Sequence, residues 1–131
     1  MLMNNKTNFI VAIFTLSILN IVGCGEAGST KKTESNTKFA NNPVYQEGVK
    51  LVDQHQCTTC HKVDEDMTGP AYIKVADKYK NADGKTIESL AQKIIDGGSG
   101  VWGQTMMTPN PGVSKEDAKK IINYILLLNE S

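Results

Sequence analysis

Cys57-Thr58-Thr59-Cys60-His61 is the stretch of this 131-residue chain whose residue types and spacing can do chemistry. Two thiols two residues apart, with an imidazole directly after the second, form the pattern for covalent haem attachment. One turn of helix from Cys57 brings both sulfurs to the two vinyl groups on one edge of a porphyrin, as thioethers. His61 then points beneath the ring and offers a nitrogen to iron. Rival uses of paired cysteines fit less well. Structural zinc wants four ligands, with a second pair further along. The chain offers only His55 besides, and adjacent Cys60 and His61 do not easily share one ion. A thioredoxin-type redox pair needs a βαβ setting that is missing here. A simple disulfide is the plainest remaining alternative.

The third cysteine needs its own explanation. Residues 1–23 read as an export signal, with Lys6 as the positive start and Phe9 to Val22 as an apolar core. That core is short of the roughly 20 residues a membrane span needs. Ile21-Val22-Gly23-Cys24 resembles the bacterial lipoprotein signal, which implies cleavage before Cys24 and lipid on its sulfur and new amino terminus. Several acyl chains anchor stably where one is marginal. The alternatives are an uncleaved membrane anchor and an ordinary signal peptide. Residues 24–42 then make a lipidated cysteine and flexible tether, rich in Ser, Thr, Asn, Gly and Lys without apolar periodicity. Residues 43–131 form the folded domain.

Helices must position the chemistry. Pro43 opens the first, and Val44, Gly48, Leu51 and Val52 follow at helical spacing to about Gln54. A second is predicted from Ala71 to Tyr79. A third starts after Thr86 and stops at Gly97-Gly98. The last begins at a Ser114 cap, with Asp117 reciprocating, and carries Ala118, Ile121, Ile122, Ile125 and Leu126 inward. No alternating run suggests a strand, so the class is all-α. Gly98 to Gly112 reads as a long loop, which in a small domain is usually functional.

That loop carries Met106 and Met107 just before Pro109. A thioether opposite a histidine raises the potential of haem iron in electron carriers. Beyond these single features, the order of several motifs resembles one family. CTTCH, Met67-Thr68-Gly69-Pro70-Ala71-Tyr72, Gly98-Ser99-Gly100-Val101-Trp102-Gly103 and Met107-Thr108-Pro109-Asn110 follow as in the short bacterial class I cytochromes c. The likeness covers residues 44–129. It implies the class I fold, about four helices wrapped around one covalent haem c, and single-electron transport without enzymatic turnover. It also implies that Met107, five positions after Trp102, is the second iron ligand beside His61. Met106 stands where the family usually has Pro, which leaves a switch of ligand open. By the same likeness the Pro70 carbonyl receives the His61 ring N–H, Trp102 points its indole N–H at a haem propionate, and Asn110 steadies the methionine loop. Trp102 as core filler is the alternative. Lys93, where the family often keeps Arg, reads as a solvated helix charge. Gly48 and Tyr124 should meet where the first and last helices cross. Met67 reads as packing and His55 as surface.

Fourteen lysines, no arginine and fourteen acids leave no basic footprint for nucleic acid. The expected partners are redox proteins (an oxidase, reductase or dehydrogenase) and a membrane reached through the lipid, on the periplasmic or other extracytoplasmic side. Two other classes compete: a haem enzyme or gas sensor with an open distal site, and a lipoprotein that binds partners without haem.

Overall fold

A computed structural model describes residues 38–130. The leader, Cys24 and residues 25–37 lie outside the described residues. Four α-helices dominate: α1 (Pro43–Gln54), α2 (Tyr72–Lys78), α3 (Gly84–Asp96) and α4 (Lys115–Leu127). Each long helix starts at a side-chain cap that satisfies otherwise orphaned N–H groups. Asn42 accepts from Val44 and Tyr45, Asp83 from Thr86, and Ser114 from Asp117. Asp117 does not complete the reciprocal box. Its carboxylate accepts from the Ser114 hydroxyl at 2.8 Å instead.

The core forms where α4 lies across the other three helices. Ile121 and Leu128 are its largest fully buried side chains, and Leu51, Tyr72, Ala91 and Ile94 arrive from α1, α2 and α3. Gly48 and Tyr124 meet as expected: a Cβ at Gly48 would lie 2.0 Å from that of Tyr124. Only a hydrogen fits there. Lys120 to Glu47, and Lys115 and Lys119 to Glu88, add exposed ion pairs from α4 to α1 and α3.

Three features depart from the expectation. Helix α3 starts at Gly84, because Asp83 rather than Thr86 is the cap. The loop after α3 contains an antiparallel hairpin, β1 (Gly98–Gly100) with β2 (Gly103–Met107), irregular between Gly98 and Gly100. Glycine at positive φ in Gly100 and Gly103 flanks its Val101-Trp102 tip. Finally, packing begins before Pro43. Phe39 is 5% exposed, its carbonyl accepts from Asn42 N, and Gln46 reaches back to the Ala40 carbonyl.

Candidate functional site

Helix α1 ends at His55, and the chain turns through Gln56 in the left-handed region, φ 55°. The turn delivers Cys57 into the expected single turn of helix, of the tight 3₁₀ form over Cys57–Thr59. Its backbone bonds run from Cys60 N and His61 N to the Cys57 carbonyl, at 3.2 and 3.1 Å. No disulfide joins the two cysteines; Cys57 is half-buried and Cys60 exposed. Burial pushes the Cys57 thiol up from its ordinary pKa.

The following loop folds back on this turn. Gly69 N donates to Cys60 O, Tyr72 N to Lys62 O and Ile73 N to Val63 O. The return carries Pro70 to His61, whose Nδ1 lies 2.8 Å from the Pro70 carbonyl oxygen. A carbonyl can only accept, so Nδ1 bears a proton, and in the neutral imidazole Nε2 is then the nitrogen with the lone pair. Gly69 packs onto the same ring, where a Cβ would sit 2.3 Å from Cε1. Asp66 closes the loop, accepting from Ala71 N at 2.9 Å and from Lys74. The Lys74 ammonium, then the Ala71 amide, hold the Asp66 carboxyl below the usual aspartate value.

The hairpin supplies the remaining expected residues. Successive strand residues face opposite ways. Met107 is half-buried against the core while Met106 is 64% exposed. Asn110 staples the end of the hairpin to α3: its backbone N–H donates to Ile95 O, and its Nδ2 to Ile94 O and Thr108 O. Gly97 allows that contact, since a Cβ would lie 2.4 Å from the Met107 carbonyl oxygen. Trp102 is 43% exposed and stands outside the protein's own core, with the Lys78 ammonium 5.5 Å from its ring. Lys93 is exposed, as expected of a helix charge, and its Nζ lies over Gly98, 2.6 Å from where a Cβ there would sit. Two minor expectations reverse. Met67 is 46% exposed, whereas His55 is half-buried with its Nε2 enclosed.

The donor set suits one group. Two thiols in one turn, an imidazole with a free Nε2 and an inward thioether match the chemistry of covalent haem. Val101, Trp102 and Met67 leave large apolar side chains outside the protein's own core, surface that a flat apolar group can cover. The buried Tyr72 hydroxyl also lacks a protein partner. Among the described residues no three His, Cys, Asp or Glu side chains converge on a metal position, so the zinc arrangement has no ligand set.

Comparison with known proteins agrees. The family model described as cytochrome c matches residues 45–129. The chain belongs to the cytochrome c family. Cytochrome c-552 of Nitrosomonas europaea is 44% identical over 78 residues, 60% of this chain and 75% of that protein. Cytochrome c-551 of Azotobacter vinelandii is 42% identical over 79 residues, 60% of this chain and 94% of that protein. The crystal structure of wild-type Nitrosomonas europaea cytochrome c552 superposes with a TM-score of 0.58 at 42% identity. It covers 62% of this chain and 99% of that one. The fold is therefore the class I cytochrome c fold, with a small hairpin added to the expected helices. The chain is a single-haem c-type cytochrome, an electron carrier and not an enzyme.

Sequence reasoning passed over Gly69, Asp66 and Lys78. Asp66 and Lys78 look like ordinary surface charges in the sequence. Gly69 stood inside a quoted motif, but only its approach to His61 explains it.

Proposed function

We propose that Cys57 and Cys60 hold the haem as thioethers and that His61 Nε2 and the Met107 sulfur are its two iron ligands. Pro70 orients the imidazole and raises its basicity through the Nδ1–H bond. Trp102 directs its indole N–H to a propionate, and Asn110 keeps the methionine strand in place. The observation that carries this reading is the 2.8 Å contact between His61 Nδ1 and the Pro70 carbonyl, which frees the other nitrogen. The inward Met107 and outward Met106 favour Met107 as the thioether.

Haem held by these residues would supply a one-electron ferric/ferrous couple. The chain's residues keep both axial positions filled and the reorganisation small, and their apolar packing raises the potential. Partners dock through a small, weak interface, as transient redox encounters do. The residues before the domain support an exported, extracytoplasmic protein of three parts: signal 1–23, lipidated Cys24 with a tether that ends before Phe39, and the packed domain that follows. Such a tether raises the effective concentration of the carrier near a membrane-bound oxidase, reductase or dehydrogenase.

The test is a redox titration of purified protein, with carbon monoxide added to the reduced form. A single one-electron wave and reduced protein indifferent to carbon monoxide are expected. A high-spin haem that binds the gas readily would place the protein with haem enzymes or sensors instead.

A further inference from the structure

The hydrogen bond to Pro70 fixes one nitrogen of His61 but leaves the ring free to tilt about that contact. A second aromatic ring restrains the tilt. Tyr72 lies nearly parallel to the imidazole, with centroids 5.6 Å apart and planes 16° apart. Tyr72 is itself held, being 3% exposed and meeting Tyr124 edge-on at 6.1 Å. Tyr124 is pressed against Gly48, and Tyr45 lies edge-on to it at 5.5 Å. Phe39 stacks on Tyr45 at 5.7 Å and closes the row. The rings thus run unbroken from the start of the packed chain to the histidine beside the cysteines. Packing of this density does not deform continuously, so a ring at its end is set in one orientation.

We propose that Tyr72 is a positioning residue that sets the rotational orientation of the His61 imidazole, with Tyr124 and Gly48 behind it as the brace. This rests on the reading of His61 as an iron ligand. The plane of an axial imidazole decides which π-type iron orbital holds the unpaired ferric electron, and therefore how spin spreads over the porphyrin. Ring stacking rather than the phenol does the work, because the Tyr72 hydroxyl has no hydrogen-bond partner in the protein.

The test uses the ferric holoprotein as its cyanide adduct. Cyanide is axially symmetric, so the order of the hyperfine-shifted haem methyl signals in proton NMR reports the imidazole plane alone. Tyr72→Phe is expected to keep the wild-type order and spread, and Tyr72→Leu to reorder or compress them. Cross-relaxation between Tyr72 and His61 ring protons in the wild-type adduct gives a reading that needs no variant to fold. Its presence supports the stack and its absence overturns it. An unmoved methyl pattern in Tyr72→Leu, with His61 ring protons still strongly shifted, would overturn the role of Tyr72 alone. Unshifted His61 protons would remove the ligand assignment and this proposal together.

Discussion

Two side chains around His61 make separable demands on the molecule. The Tyr72 hydroxyl is buried without a partner, and an unsatisfied buried polar group costs about 1–3 kcal/mol. Tyr72→Phe is therefore expected to raise stability by about 1 kcal/mol in urea unfolding; a drop would mean that the hydroxyl is engaged in the holoprotein. Asp66 works through charge. Its carboxyl is held low by Lys74 and the Ala71 amide, so it binds a proton more weakly folded than unfolded. Its contribution is complete above the ordinary aspartate value and disappears as pH falls through the depressed folded value. Both partners are exposed at the surface, so the effect is small. In acid titrations followed by urea midpoint, Asp66→Asn should lose that part of the slope. An identical slope in both proteins would separate Asp66 from the loop that carries Pro70.

Hairpin and helices hold those side chains with different margins. Asn110 Nδ2 donates to Ile94 O near the end of α3 and to Thr108 O just after β2, each bond worth about 0.5–1.5 kcal/mol. Asn110→Ala should cost about 1–3 kcal/mol in urea unfolding and speed displacement of the methionine by imidazole, read by stopped-flow absorbance. At the α1–α4 crossing, Gly48→Ala drives a methyl into Tyr124. Overpacking of this kind costs about 1–3 kcal/mol or more, read as a lower thermal midpoint. These two places also show how far sequence reading reaches. Helices α1 and α4 were legible because apolar residues recur at helical spacing behind Pro43 and Ser114. Gly98-Ser99-Gly100 has no alternation to betray a strand, since glycine freedom and backbone pairing make that hairpin. Helix α3 was placed late because its first turn, Gly84-Lys85, carries no apolar signal and Asp83 caps it from outside the periodic run. His55 and Met67 reversed for a related reason: each stands outside any periodic run, so tertiary packing alone decides its burial.

Assembled, the domain surrounds a site that only distant segments can complete. The thiols and imidazole come from the turn after α1, the proline from the loop before α2 and the methionine from β2. The CxxCH pattern and the motif order made the cofactor legible, because each carries its spacing within a few residues. Phe39 escaped notice because it is a lone aromatic in a polar stretch, and its ring stacks on Tyr45, which in turn meets Tyr124. Its burial means that the packed domain begins by residue 39, which shortens the tether proposed to follow Cys24. Cys24→Ser is expected to shift the protein from the membrane to the soluble fraction, while unchanged fractionation would argue against lipid at that cysteine. The proposed pairing of His61 with Met107 would join all these segments into one electron carrier. It is tested by the ferric absorption spectra of Met107→Ala and Met106→Ala. The sulfur-to-iron band near the red end is expected to vanish in Met107→Ala and to persist in Met106→Ala; the reverse pattern would contradict the assignment.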